Sequence, residues 1–255
     1  KQLSNTAKKI YDGLKKHKDD MKTGTYVIDF GTEFNSILNG ADGEEILNQE
    51  YQSAWNAFSY DNVDLYYLDI NKVSMVMEAR TEGATTTYYV KIGPGDYSSY
   101  LSSTFANKKE IEDADAYIKD IRNQVMSILG PYNNAMKIKV VNEWMIDNLS
   151  YENIEGNNNK YNLYGAIVET KVVCEGYARM FKYIMDGLNI PCILVSGTAT
   201  NSEGETELHA WNYVELNGQW YAVDVTWNDP VVIGEGELTE SQKSKYLLKG
   251  KSFLD

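Results

Sequence analysis

The 255-residue sequence predicts an α+β protein, because one segment combines a helical pattern with a β-hairpin pattern. After Cys174, apolar residues recur at every third or fourth position as far as Leu188, which is typical of a helix with one buried face. Farther along, two alternating stretches, 208–216 and 219–225, flank Asn217-Gly218, the strongest short signal for a two-residue hairpin turn. The two stretches are therefore expected to pair as antiparallel strands.

The N-terminal half has its own mixture of helices and strands. Apolar spacing and turn residues predict helices at 1–20 and 44–58, and strands at 25–30, 65–70, 73–79 and 85–92 with Gly83 in the last turn. The half contains no cysteine, and its one histidine, His17, lies in a Lys-rich run that we interpret as solvated surface. We therefore expect a smaller N-terminal α+β domain without catalytic residues.

Gly130-Pro131 is the best candidate for a domain border. A long helix predicted at 107–129 ends there, and a further helix is predicted at 135–149. We therefore divide the chain into an N-terminal domain, 1–131, and a C-terminal domain, 132–255. An Asn-rich loop at 151–161, a strand at 190–197 and a candidate last strand at 246–248 are also expected in the C-terminal domain.

Composition describes an ordinary globular protein with an acidic surface. Hydrophobic residues make up 43% of the chain, and the net charge is −13. The electric field of this negative charge repels phosphate backbones and argues against nucleic acid as a partner. No apolar run approaches the ~20 residues that span a bilayer, and no signal peptide is present. Because the chain begins at Lys1, removal of a leader stays open.

Neither a disulfide nor a metal site is expected. The predicted helix of about 14 residues, at ~1.5 Å per residue, would put Cys174 and Cys192 near 20 Å apart, beyond the ~7 Å limit for a disulfide. Cys192 therefore reads as a buried structural thiol. The oxygen-rich stretches 39–45 and 61–64 do not have the spacing of a calcium loop and are interpreted as a turn and a solvated loop, so no metal or cofactor is expected.

Cys174, His209 and Asp224 together supply the groups for acyl transfer at a thiol. In the first turn of a helix, unpaired N–H groups and the helix dipole favour a thiolate at Cys174 and can hold a developing oxyanion. If Asn217-Gly218 forms the turn, Asp224 lies one diagonal step from His209 on the same sheet face, about 7–8 Å away at the backbone. An imidazole and a carboxylate can close that gap.

Each of these residues also has a simpler interpretation. An isolated cysteine is more often a small buried hydrophobe, and a strand histidine more often structural. Tyr164 is the candidate for a second oxyanion donor, with ordinary core packing as its alternative. Trp211 and Trp227 are candidate walls of the site, with plain sheet core as theirs.

At these positions the sequence resembles the transglutaminase-like superfamily, and more closely its bacterial secreted or cell-surface members. Over about 136–230 the resemblance rests on Tyr-Gly-Ala-Ile-Val (164–168), Val-Cys-Glu-Gly-Tyr-Ala (173–178), the strand at 190–197, His-Ala-Trp-Asn (209–212) and Trp-Tyr-Ala-Val-Asp-Val-Thr-Trp-Asn-Asp-Pro (220–230).

That resemblance implies a papain-like core in which a cysteine-bearing helix packs on an antiparallel sheet. It also implies a triad with Cys174 as nucleophile, His209 as base and acid, and Asp224 as the group that orients the imidazole. The resemblance likewise implies a protein or peptide substrate, including cell-wall or surface proteins. It also implies an extracellular or cell-surface location, with the leader removed. Family members include transferases, peptidases and proteins with no demonstrated activity.

The sequence therefore predicts thiol-dependent acyl transfer on protein or peptide amides. Hydrolysis by a cysteine peptidase or amidase is favoured, because no dedicated site for an acceptor amine is visible in the sequence. Two alternatives stay open: a transglutaminase that uses an amine acceptor, and a non-enzymatic cell-surface binding module that retains the triad.

Overall fold

A computed structural model describes residues 2–200, 204–229 and 238–250. The chain forms two compact units, Lys1–Asp113 and Ala114–Asp255. These units are defined by packing, and the domain border expected at residues 131 and 132 stays a prediction. In the described part of the chain, no helix has the length and apolar character needed to cross a membrane.

The N-terminal unit combines helices with a three-stranded antiparallel sheet whose strands lie in the order Ile28–Gly31, Thr85–Gly93, Ser74–Glu82. The side chain of Ser4 accepts a hydrogen bond from the Ala7 N–H and starts the first helix, whose Ala7, Ile10 and Leu14 are buried. The elements are α1 (Asn5–Lys16), β1 (Ile28–Gly31), α2 (Asn35–Leu38), α3 (Gly43–Asp61), β2 (Ser74–Glu82) and β3 (Thr85–Gly93). Gly83 occupies the hairpin turn with a positive φ of 62°, as predicted.

Two expectations for this unit are wrong. No strand forms at 65–70, where only Leu68 makes an isolated bridge, to Leu101, before a 3₁₀ turn begins at Ile70. Four successive side chains from Leu65 are buried, which an alternating strand with one solvated face cannot achieve. His17 is also less exposed than expected, because its ring stacks on Tyr26 and its Nδ1 lies 2.8 Å from Asp20 Oδ2.

The second unit contains the cysteine-bearing helix and a three-stranded antiparallel sheet with the strand Thr206–Leu216 in the centre. Helix α4 (Lys108–Ser127) crosses the border between the units. The other elements are α5 (Asn134–Asn148), β4 (Ser150–Tyr151), β5 (Lys171–Val172), α6 (Cys174–Gly187), β6 (Cys192–Thr200), β7 (Thr206–Leu216), β8 (Gln219–Val223), α7 (Val225–Asn228) and α8 (Glu240–Lys243). Strands β4 and β5 form a separate parallel pair.

Helix α6 packs on this sheet, as expected. Its buried side chains include Tyr177, Phe181 and Ile184, at the spacing that predicted the helix. The side chain of Asn212 on β7 donates a hydrogen bond of 3.0 Å to the carbonyl of Ala178 and joins the two layers. The helix is therefore held to the central strand by both apolar contacts and a buried polar bond.

The hairpin between β7 and β8 has the predicted turn and register. Asn217 and Gly218 have φ values of 54° and 78°, the positive pair that a type I′ turn requires, and Leu216 pairs with Gln219. The strand predicted to continue to residue 225 ends at Val223 instead. The chain leaves the sheet there because the side chain of Asp224 accepts a hydrogen bond of 3.0 Å from the Trp227 N–H and caps α7.

The candidate strand at 246–248 does not form. Only Lys249 pairs with the sheet, through two backbone hydrogen bonds with Ala222 of 2.8 and 2.9 Å. The stretch from Tyr246 to Lys249 thus lies along the end of β8 without becoming a regular strand.

Candidate active site

Cys174 is the first residue of α6, where the sequence predicted it. Its helix cap, Val173, has extended backbone angles and makes no side-chain hydrogen bond to the first turn. The positive end of the helix dipole therefore faces the half-buried thiol without competition from a capping oxygen on the preceding residue.

Close backbone packing fixes the start of this helix. The N–H of Val173 donates a hydrogen bond of 3.1 Å to the carbonyl of Lys160. A Cβ at Gly176 would lie 2.8 Å from that same carbonyl oxygen and 2.5 Å from Val172 Cβ, so a larger residue there would push the helix away. The position of Cys174 thus depends on a glycine two residues later.

His209 and Asp224 form a buried hydrogen-bonded pair. The imidazole Nε2 lies 2.6 Å from Asp224 Oδ2, and the two residues are 5% and 8% exposed. Because an ionised carboxylate only accepts, Nε2 carries the proton, and Nδ1 is the nitrogen left to face another group. The other oxygen of Asp224 is used in the α7 cap, so both carboxylate oxygens have fixed partners.

Two tryptophans cover the imidazole. The Trp227 ring stacks on His209 with centroids 4.8 Å apart and planes at 19°, and the Trp211 ring lies at 5.9 Å and 18°. The predicted wall residues therefore both contact the histidine. A ring that stacks on two other aromatic rings has little freedom to rotate away from Asp224.

The electrostatics of His209 favour its charged form. Burial alone would lower the pKa of His209, but the hydrogen bonds and negative charges of Asp224 and Cys174 outweigh burial and raise it from 6.5 to about 9. Cys174 therefore acts on the charge of the imidazole.

We expect the raised pKa of His209 to make the free energy of unfolding depend on pH. Because the folded value of about 9 exceeds the ordinary 6.5, the charged imidazole contributes stability that is fully present below pH 6.5 and is lost as the pH rises through 9. Thermal unfolding of wild type and His209→Gln between pH 5.5 and 10 measures this difference. His17→Gln serves as a control, and parallel curves for wild type and His209→Gln would contradict the prediction.

The second cysteine has the opposite environment. Cys192 begins β6, is buried, and has its pKa raised to about 12 by desolvation, the charge of Lys182 opposing the shift only in part. Both cysteines are free thiols. The chain thus carries one thiol beside a basic group and one that is kept protonated.

Tyr164 is half-buried and caps a π-helical turn, Gly165–Glu169, that leads to the cysteine segment. Its assignment as an oxyanion donor stays a prediction. Gly165 makes this turn possible, because a Cβ there would lie 2.0 Å from the carbonyl oxygen of Asn159.

The sequence patterns missed a polar cluster beside the site. The hydroxyl of Tyr177, three residues after Cys174 and so on the same helix face, donates a hydrogen bond of 2.6 Å to Asp229 Oδ2. The ring of Tyr151 stacks on that of Tyr177 at 6.5 Å. Burial and then the charge of Cys174 raise the pKa of Tyr151. The three-residue spacing from Cys174 was the signal that identifies Tyr177.

Within the described ranges, no group of three or more His, Cys, Asp or Glu side chains is arranged to hold a metal ion. An open groove of about 930 Å³ lies in the N-terminal unit, between Leu38 and Ser53, and contains none of the candidate site residues. The chemistry is therefore assigned to the second unit.

Comparison with known proteins identifies this part of the chain. The sequence model of the Transglutaminase-like superfamily matches residues 122–225, a range that contains Cys174, His209 and Asp224. Residues 122–225 thus match the model of a transglutaminase-like domain. This superfamily includes cysteine protease-like members, so a cysteine peptidase or an acyltransferase is the class of activity that fits.

Two curated proteins are similar in sequence to part of the chain. Mouse and human kyphoscoliosis peptidase are each 25% identical over an alignment of 157 residues, and the match covers 54% of this chain and 23% of either relative. The chain thus spans about a quarter of the length of these relatives.

Solved structures with transglutaminase-like folds are similar at low identity. The crystal structure of a TGase has a TM-score of 0.41 at 13% identity. The match covers 69% of this chain and 50% of the TGase chain. A putative cysteine protease from Cytophaga hutchinsonii has a TM-score of 0.35 at 16% identity, with 60% and 62% covered. The periplasmic domain of TgpA from Pseudomonas aeruginosa has a TM-score of 0.34 at 13% identity, with 56% of each covered.

Proposed function

We propose that the transglutaminase-like domain is a thiol hydrolase of protein or peptide amides, with Cys174 as nucleophile, His209 as base and acid, and Asp224 as the orienting carboxylate. The observation that carries the proposal is the 2.6 Å contact between His209 Nε2 and Asp224 Oδ2, in a pair whose imidazole also interacts with a thiol at a helix start. A nucleophile, a base and a third group that orients the base are the parts that covalent acyl transfer needs.

The proposed reaction begins with the thiolate of Cys174 attacking the carbonyl carbon of the amide. The C–S bond forms and the carbonyl oxygen takes the negative charge. As the tetrahedral intermediate collapses, the C–N bond breaks and the imidazolium of His209 gives its Nδ1 proton to the leaving amine. The product of this half-reaction is a thioester with the amine released.

Water then resolves the thioester. The neutral imidazole takes a proton from the water as its oxygen attacks the carbonyl carbon, the C–S bond breaks, and the acid leaves while thiolate and imidazolium return. The N–H of Cys174, at the positive end of α6, is our candidate for the first oxyanion donor, and Tyr164 is our candidate for the second.

Hydrolysis is favoured over transfer to an amine. The curated relatives carry the name peptidase, which supports bond cleavage in this domain, although the similarity covers only part of those proteins. The net charge of −13 attracts cationic amines and keeps a transglutaminase as the second candidate. The extracellular or cell-surface location and the surface-protein substrate stay predictions.

An assay that scores cleavage and transfer separately tests the proposal. We expect wild type to cleave members of a peptide and protein panel that also contains a tagged primary amine, with cleavage exceeding tag incorporation, and Cys174→Ser to do neither. Because Cys192 is buried and protonated, Cys192→Ser is the matched control and should retain the activity.

Incorporation in excess of cleavage would make the domain a transglutaminase. Neither product, together with a Cys174 thiol that reacts no faster than Cys192, would favour the non-enzymatic binding module.

A further inference from the structure

The backbone of Asp224 is held by a segment far along the sequence. The N–H of Asp224 donates a hydrogen bond of 3.0 Å to the carbonyl of Tyr246. Two residues earlier, Ala222 exchanges hydrogen bonds of 2.8 and 2.9 Å with Lys249. The C-terminal segment, 238–250, thus takes the place beside Asp224 that a neighbouring strand would occupy.

The side chain of Tyr246 supports the ring that covers His209. Tyr246 meets the Trp227 ring edge-on, with centroids 5.1 Å apart and planes at 65°. Trp227 in turn stacks on the imidazole at 4.8 Å. The three rings form a continuous contact from the C-terminal segment to the base, while the carbonyl of the same Tyr246 holds the residue that orients that base.

Two fully buried asparagines fix this segment to helix α5. Asn228 accepts a hydrogen bond of 2.7 Å from the Tyr246 N–H and donates one of 2.8 Å to Asn142 Oδ1. Asn142 on α5 donates one of 2.8 Å to the carbonyl of Lys243. Both asparagines are 0% exposed, so each bond is made without competition from water. The amide chain therefore holds the segment at two points, the carbonyl of Lys243 and the N–H of Tyr246.

We propose that the C-terminal segment is a built-in support of the site, and that Tyr246 is a positioning residue that acts on Cys174 through Trp227, Asp224 and His209. The inference rests on the proposed function, because it gives Tyr246 the role of orienting Asp224 and His209 for the proposed reaction at Cys174. A segment that only stabilised the fold would leave the orientation of the imidazole, and so the pH dependence of the thiol, unchanged.

The rate at which iodoacetamide alkylates Cys174, measured from pH 5 to 10 on the whole chain, tests this role without a substrate. We expect Tyr246→Ala to lower the rate near pH 6 by roughly five- to tenfold, because small displacements of an oriented group are costly. Near pH 10, where the thiolate forms without help from the imidazole, the rates should converge. Tyr246→Phe, which keeps the ring, should restore most of the wild-type profile.

Three further measurements make the result decisive. Ser241→Ala, an exposed change in the same segment, should leave the profile unaltered. Labelling of buried Cys192 in the same samples reports any loosening of the fold. If Tyr246→Ala does not fold, Tyr246→Leu replaces it, because leucine fills the space without an aromatic edge. Tyr246→Leu is expected to show the same loss near pH 6.

The outcomes separate the two proposals. A fast wild-type Cys174 whose pH profile is the same in Tyr246→Ala and Tyr246→Leu would overturn the positioning role alone. A wild-type Cys174 that reacts no faster than Cys192 near pH 6 would overturn both the proposed function and this inference.

Discussion

Replacing Asp224 with asparagine is expected to lower turnover by roughly 10³- to 10⁴-fold while the domain stays folded. Asp224 Oδ2 accepts from His209 Nε2, whereas Oδ1 accepts from the Trp227 N–H. The carbonyl oxygen of an asparagine can still cap α7, so the local structure has an acceptor where it needs one. Its amide nitrogen, however, faces Nε2 as a donor, which favours the tautomer with the proton on Nδ1 and removes the base from the thiol.

The measurement is kcat on a peptide that wild type cleaves, with thermal unfolding alongside. Asp120→Asn, an exposed aspartate on α4, is the control for loss of one negative charge. The role assigned to Asp224 fails if Asp224→Asn retains turnover within a few-fold of wild type at an unchanged melting temperature.

The two halves of the site were predictable for different reasons. Cys174 at a helix start follows from local spacing and needs no knowledge of the rest of the fold. The approach of His209 to Asp224 follows from the Asn217-Gly218 turn, because a two-residue turn fixes the register as far as the pair of Asn212 and Val223, and Asp224 is the next residue. Both predictions depend on signals within about 25 residues of sequence.

The end of β8 was not predicted, for an identifiable physical reason. The run after Asp224 reads Val-Thr-Trp, residues that favour strands, so the pattern extended the hairpin to residue 225. The cap made by Asp224 overrides that propensity and turns the chain into α7. Asp224 lies three residues before Trp227, whose N–H donates a hydrogen bond to its carboxylate. An aspartate at that spacing is a helix-start signal, and it was present in the sequence.

The support from the C-terminal segment could not be predicted from local patterns. In the sequence, Asn142 lies within the helical pattern at 135–149, and Asn228 begins the polar Asn-Asp-Pro stretch at 228–230. The hydrogen bond between them joins residues 86 positions apart. Nothing in the spacing of either segment points to the other. Buried polar contacts of this kind appear only when the tertiary structure brings the partners together.

We expect Cys174 to alkylate at least roughly a hundredfold faster than Cys192 near pH 6. An ordinary thiol with a pKa of ~8.5 is only about 0.3% ionised at that pH. Burial raises the pKa of Cys192 to about 12, so its thiolate is rarer still, whereas Cys174 lies at a helix start beside an imidazole that stays protonated up to about pH 9. Mass spectrometry after timed exposure of the folded protein to iodoacetamide gives both rates.

His209→Ala is expected to remove most of the advantage of Cys174 near pH 6, since the helix dipole alone contributes less than a nearby positive charge. His17→Ala, which removes the histidine of the N-terminal unit, should leave both rates unaltered. Labelling in denaturant provides the reference, because there the two cysteines should react alike. Equal labelling of Cys174 and Cys192 in the folded wild type would show that the imidazole does not activate the thiol, and the proposed hydrolase would lose its nucleophile.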